Sequence, residues 1–164
     1  MNPEDHEFQE LAGEMRDRLI GVTGKMRDEI ALLLARVIGR IPEEDRTVLR
    51  FFRNLRVIMP ADHTAAVILV NSRFVDERLR EMIPVWCICL SPDFGSQPES
   101  ECIYLLAHEL AHVFLEHNMN GSNGKDQIAQ RKNQEIHADQ LVRNWGFREE
   151  LQSYYSSGQQ GAIP

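Results

Sequence analysis

The chain has 164 residues, enough for one domain with a hydrophobic core, and its 25 acidic residues outnumber its 18 Lys and Arg to give a formal net charge of −7. The sequence lacks the clustered basic residues that phosphate binding requires, which argues against nucleic acid as a direct partner. No apolar run approaches the roughly 20 residues needed to span a bilayer, so we expect no membrane partner.

Two further features predict a cytoplasmic location. The start of the chain, MNPED, is acidic and unlike a targeting peptide. The cysteines are Cys87, Cys89 and Cys102, and this odd set favours reduced thiols over disulfides.

Residues 1–54 are predicted to form a helical N-terminal region. Apolar residues recur at three-four spacing over 4–39, and Gly21 and Gly24 divide that stretch into two helices. The acidic segment 42–45 predicts the first turn of a third helix. Its residues expected to face inward are Val48, Leu49, Phe52 and Leu55.

The period of the apolar residues changes after residue 54. Segments 55–59, 65–70 and 85–90 are short, apolar and rich in β-branched residues, and they are bounded by Pro or Asn as strands are. Segment 73–82 is charged and predicts either a short helix or an excursion at the edge of the sheet.

A metal-binding pattern lies in the apolar run 105–115. Residues 108–112 read HELAH, and on a helix His108 and His112 lie one above the other, where both rings can bind one ion at ~2.0–2.1 Å. Glu109 is roughly 100° around the helix, close enough to reach a water on that ion and act as a base. The alternative is a pair of hydrogen-bonded core histidines with Glu109 turned to solvent.

The helix that carries this pattern is predicted to begin at segment 96–99, which has the spacing of a capping box, and to run to about His117. Tyr104, His108 and His112 share one face of it. The neighbouring face is an apolar stripe that we expect to pack on the sheet, formed by Ile103, Leu106, Leu110 and Phe114.

A catalytic zinc site needs a third protein ligand and an open position for water. Segment 133–142 predicts a second helix on which Glu135 and Asp139 share one face, and the turn-rich loop 118–124 allows that helix to return antiparallel. We expect Glu135 to complete the site and Asp139 to accept the free ring N–H of a ligating histidine. A solvated acidic face is the alternative for both carboxylates.

The segments HELAH at 108–112 and EIHAD at 135–139 together resemble the zincin metallopeptidases, whose third ligand is a glutamate in an E-x-x-A-D or E-x-x-A-N helix. They are most similar to the ImmA/IrrE type, bacterial and phage-associated peptidases that act on repressor proteins. The resemblance covers about residues 55–146. Residues 140–145 depart from it, since they read QLVRNW where the family has a Phe-Ala pair and a proline-ended segment.

The resemblance implies an α+β, zincin-like fold, in which a small, mostly antiparallel sheet packs on the HExxH helix. We expect a single domain over 1–164, with the helical N-terminal region followed by a catalytic core at 55–164. In such enzymes the strand before the metal helix, here 85–90, offers its edge to an extended peptide.

The implied function is that of a zinc-dependent metallopeptidase, which hydrolyses peptide bonds in a protein substrate such as a regulator or repressor. Zn²⁺ would be held by His108, His112 and Glu135, with Glu109 as the catalytic base and Asp139 supporting a ligating imidazole. Two imidazoles and one carboxylate favour zinc over manganese or iron.

The other histidines and tyrosines near the two motifs are expected outside the ligand set. His117 lies one position short of the metzincin spacing and lacks that motif's glycine, so it is predicted to be exposed at the helix end. His137 points about 200° away from Glu135 and is predicted at the surface or on the substrate side. Two roles remain open for the tyrosines, stabilisation of the oxyanion and packing in the core; these residues are Tyr104, Tyr154 and Tyr155.

Two other functions stay open at this point. In the first, the chain is a catalytically inactive metal-binding module for regulation or interaction, whose helices over 1–54 cover the cleft or dock a partner such as a DNA-binding regulator. In the second, it is a purely structural helical domain. The sequence carries no expectation for the oligomeric state.

Overall fold

The computed structural model describes residues 3–22, 24–51, 55–58, 66–70, 85–91, 93–117 and 125–157. Helices dominate this part of the chain: they are 9 to 20 residues long, whereas the strands have two to five residues. In chain order the elements are α1 (Pro3–Arg18), β1 (Leu19–Ile20), α2 (Gly24–Arg40), α3 (Glu43–Phe51), β2 (Leu55–Ile58), β3 (Ala66–Val70), β4 (Val85–Cys89), α4 (Glu99–Phe114), α5 (Lys125–Asn144) and α6 (Arg148–Ser156).

The N-terminal helices begin and end where local signals place them. The break between α1 and α2 contains Gly21, with a φ of 77°, and α2 begins at Gly24, with a φ of 61°; both are left-handed conformations that favour glycine. The third helix begins at Glu43 with an acidic first turn. The side chains predicted to point inward from it lie outside the described residues, and β1 is an element that we did not predict.

The four described strands form one sheet in the order β1-β2-β4-β3. Of their pairings, β1 with β2 and β2 with β4 are parallel, and β3 with β4 is antiparallel. The expected zincin-like α+β fold with a mostly antiparallel sheet is therefore wrong, because the described chain is mainly helical and most of its strand pairings are parallel. The physical reason lies in the connections: α2 and α3 stand between β1 and β2, and such a crossover returns the chain in the same direction.

The position of β4 corrects a second prediction. This strand lies between β2 and β3, so that both of its edges are hydrogen-bonded and it cannot offer one to an extended peptide. Its continuous apolar run, VWCIC, is typical of a strand covered on both faces. Among the described strands, β1 and β3 occupy the edges of the sheet.

The helix α4 is the centre of the packing. It contacts α2, α3, α5, α6 and β3, and its Leu106 and Leu110 are fully buried. Most of the elements that contact α4 are helices, and Val57 and Ile88 of the sheet belong to the same core cluster as Leu106 and Leu110. Leu34 and Val37 of α2 belong to the same hydrophobic cluster, so the N-terminal region contributes to the core that supports α4.

The two ends of α4 differ from the prediction. A 3-10 helix over Phe94–Ser96 precedes it, and its N-cap residue is Pro98, which makes no side-chain capping bond, so the predicted capping box is wrong. At the other end α4 stops at Phe114, a turn before His117. Segments 73–82 and 118–124 lie outside the described residues. In the part of the chain that the structure describes, no helix has the length and apolar character needed to cross a membrane.

Candidate metal centre

Two imidazoles of α4 and one carboxylate of α5 meet at a single point. The Nε2 atoms of His108 and His112 are 3.0 Å apart, and Oε2 of Glu135 lies 3.0 Å from the first and 3.5 Å from the second. Each residue contributes one ligand atom, and these atoms lie within 4.8 Å of one another. The structure therefore brings together the three ligands predicted from two separate segments.

Helix geometry and a small residue produce this convergence. The rings of His108 and His112 lie next to each other along α4 in an edge-on arrangement, with centroids 4.7 Å apart and planes inclined by 70°, because residues four positions apart are neighbours on a helix surface. Glu135 comes from α5, which packs directly on α4. Ala138 of α5 is fully buried, and its small side chain permits the close approach of the two helices.

The spacing of the three ligand atoms fits a metal ion. Ligand atoms at ~2.0–2.1 Å from a tetrahedral ion lie about 3.3 Å from one another, and the distances here are 3.0, 3.0 and 3.5 Å. Two imidazole nitrogens with one carboxylate oxygen are also a donor set that zinc accepts. The type and spacing of these three donor atoms therefore fit a divalent metal ion such as zinc.

The electrostatics of the cluster favour positive charge at the same point. Burial lowers the pKa of His108, but hydrogen bonds to Asp139 and Glu135 outweigh burial and raise that pKa to about 10. Burial also opposes ionisation of Glu135, yet hydrogen bonds from His108 and His112 bring its pKa below the usual range. A cation between the rings would meet the same carboxylates that stabilise a proton there.

Asp139 is held by three donors. Its Oδ1 lies 3.0 Å from Nδ1 of His108 and accepts the hydroxyl of Tyr104 at 2.8 Å, and its Oδ2 accepts the hydroxyl of Tyr155 at 2.6 Å. Burial raises the pKa of Asp139, but these hydrogen bonds lower it below its ordinary value. The carboxylate can thus accept the Nδ1–H of His108 and leave Nε2 free to bind a metal.

The same hydrogen bonds identify the role of Tyr104 and Tyr155 as donors to Asp139. Burial and then the charge of Asp139 raise the pKa of Tyr104 far above its usual range, and burial together with the hydrogen bond to Asp139 raises the pKa of Tyr155 to about 12. Both therefore remain neutral donors to a carboxylate. Tyr154 is buried with its ring centroid 4.5 Å from that of Tyr104. The sequence did not predict the hydrogen bonds of Tyr104 and Tyr155 to Asp139, because α6 meets α4 and α5 only through tertiary packing.

Glu109 lies inside the protein beside the ligand cluster. Only 7% of it is exposed, which contradicts the alternative in which this carboxylate turns to solvent. Burial, then Cys87 and then Glu109, raise the pKa of Cys89, so the Glu109 carboxylate is close enough to the end of β4 to act on that thiol. The residue is adjacent to the three candidate ligands without belonging to their group.

His117 corrects the prediction of an exposed helix-end residue. It is 9% exposed, and its Nδ1 lies 2.9 Å from Nδ1 of His112. The reason is a backbone reversal: Glu116 has a φ of 53°, and the N–H of His117 donates to the carbonyl of His112 at 3.0 Å. Burial, aided by His112, lowers the pKa of His117 to about 4. His137 is exposed, with its ring centroid 6.4 Å from that of His117.

Comparison of the chain with protein-family models, with curated proteins and with solved structures finds no match.

Proposed function

We propose that this protein is a zinc-dependent metallopeptidase that hydrolyses peptide bonds in a protein substrate. One observation carries the proposal: His108, His112 and Glu135 offer ligand atoms within 4.8 Å of one another, next to the buried carboxylate of Glu109. This combination supplies three ligands and a base without a fourth protein ligand among the described residues. Its motifs also carry the resemblance to the ImmA/IrrE type, which suggests a regulator or repressor as the substrate.

In the proposed reaction, different residues bind the metal, transfer the proton and orient the ligands. His108, His112 and Glu135 would hold the zinc ion, which when bound supplies a Lewis acid for the attacking water and the scissile carbonyl. The Glu109 carboxylate takes a proton from the water and passes it to the leaving amine. Asp139 orients His108, and the burial of the two imidazoles limits the access of bulk solvent.

An extended substrate would bind along β3. Among the described strands this one is at the end of the sheet, and it contacts α4, whereas β4 is paired on both sides. A peptide could add to the outer edge of β3 through main-chain hydrogen bonds.

The proposed setting is the cytoplasm. Cys87, Cys89 and Cys102 are free and buried thiols, which are typical of a reducing compartment. The proposed partner is a protein or peptide substrate.

The test combines metal analysis with one substitution. Purified wild-type protein should contain about one zinc per chain by elemental analysis and should cleave members of a peptide library derived from cellular proteins. Glu109→Gln should keep the zinc and lose about 10²- to 10⁴-fold in kcat, because only the base is removed. Equal cleavage by wild type and Glu109→Gln, or a wild type that binds no zinc, would refute the proposal.

A further inference from the structure

The two imidazoles of the metal centre use their second nitrogens differently. Nδ1 of His108 faces the carboxylate of Asp139 at 3.0 Å, whereas Nδ1 of His112 faces another imidazole, that of His117, at 2.9 Å. A carboxylate is the usual partner in the first position. The second arrangement is the less common one and determines where the His112 proton must lie.

We propose that His117 is a positioning residue for the metal centre, which holds His112 in the tautomer that leaves Nε2 free for the metal. The inference rests on the proposed metal site, since it assigns Nε2 of His112 to the ion. A neutral imidazole carries one N–H, so a lone pair at Nε2 requires the proton at Nδ1. The acceptor that the structure offers this proton is Nδ1 of His117.

The conformation of the backbone places His117 beside His112. After α4 ends at Phe114, the left-handed Glu116 turns the chain back, and the N–H of His117 donates to the carbonyl of His112 at 3.0 Å. His117 is therefore connected to His112 through both its backbone and its ring. Because it is 9% exposed, water cannot easily replace it as the acceptor.

The ring contact has the geometry that a positioning role requires. The planes of His112 and His117 are inclined by 65° with centroids 5.0 Å apart, so the rings meet through a nitrogen edge and do not stack face to face. The acceptor is also uncharged when it carries its proton on Nε2. It fixes the tautomer of His112 without adding a further negative charge to a cluster that already contains Glu135 and Asp139.

The test measures zinc affinity and the location of one proton. Competition with a chromogenic chelator should show that His117→Leu binds zinc about 10- to 100-fold more weakly than wild type, as the loss of a residue that orients a ligand does. His117→Asn should retain most of the affinity, because its Oδ1 can replace Nδ1 as the acceptor. The control is His6→Asn, an exposed residue of α1, which should match wild type.

Long-range ¹H–¹⁵N correlation spectra of the zinc-loaded wild type should show the proton of His112 on Nδ1. Wild-type affinity in His117→Leu, or an Asn variant no better than a folded Leu variant, would overturn the inference while leaving the metal centre intact. A proton on Nε2 of His112 would overturn the inference together with the assignment of that nitrogen to the metal. If His117→Leu fails to fold, the wild-type spectrum and the zinc affinity of His117→Asn test the inference. A wild type without zinc affinity would instead overturn the proposed function, and this inference with it.

Discussion

Tyr155 donates its hydroxyl proton across 2.6 Å to Oδ2 of Asp139, the carboxylate whose other oxygen lies 3.0 Å from Nδ1 of His108. A tyrosine of α6 thus orients a residue of α5 that in turn orients a residue of α4. The geometry of the candidate metal centre therefore depends on the docking of the last described helix.

We expect Tyr155→Phe to lower the free energy of unfolding by about 1.5–3 kcal/mol, the usual value of a hydrogen bond to a charged group. The reason is that the largely buried Asp139 loses one of its three donors. Urea denaturation measures the change. The control is Tyr154→Phe, the neighbouring residue in α6, which also loses a hydroxyl. Equal effects of the two substitutions would contradict a stabilising role of the hydrogen bond from Tyr155 to Asp139.

Ala138→Leu should destabilise the protein by about 1–3 kcal/mol and weaken zinc binding. The position is fully buried where α5 approaches α4, so a larger side chain must separate the helices and move Glu135 away from the two imidazoles. Thermal denaturation and zinc titration measure the two effects. Ile136→Ala, at a half-exposed position of the same helix, should change stability by less than about 0.5 kcal/mol. Unchanged zinc affinity in Ala138→Leu would show that the helix spacing does not control the site.

Glu116→Val should cost about 1–2 kcal/mol of stability, because a β-branched residue tolerates the φ of 53° at this position poorly. Glu116→Gly relieves the same strain and should be close to wild type or more stable. Denaturant unfolding of the pair isolates the backbone effect, since both variants lose the same carboxylate. If Val and Gly unfold at the same denaturant concentration, the left-handed conformation is not required.

The ion pair between Arg40 and Glu150 should make stability depend on pH. Burial raises the pKa of Glu150, but the hydrogen bond from Arg40 outweighs it and holds that pKa below its ordinary value of 4.5. Because the folded pKa is the lower one, the stabilisation is present above about pH 4.5 and is lost as the pH falls through the folded pKa.

At pH 7 we expect Arg40→Gln to lose about 1–2 kcal/mol, since Arg40 also donates to the carbonyl of Gly146 at 3.0 Å and lies 4.1 Å from the ring centroid of Phe147. The difference from wild type should shrink in unfolding experiments near pH 3. Arg36→Gln removes a more exposed pair with Glu99 and should cost less than about 0.5 kcal/mol. A loss in Arg40→Gln that does not change with pH would contradict the role of Glu150.

Local spacing alone predicts the parts of the site that lie within one helix. Residues four positions apart share a helix face whatever the rest of the chain does, so the pairing of His108 with His112, and of Glu135 with Asp139, follows from the order of the residues. The break at Gly21 is equally local, because glycine adopts positive φ at little cost.

Features that form where distant segments of the chain meet are decided by the tertiary structure. The direction of each strand pairing follows from the path of the chain between strands, and this path makes β4 a central strand and the sheet mostly parallel. The burial of His117 depends on a backbone reversal at a glutamate, a residue type that does not signal one. The tyrosine contacts to Asp139 exist only because α4, α5 and α6 pack together, and no periodicity within a single segment encodes such a meeting.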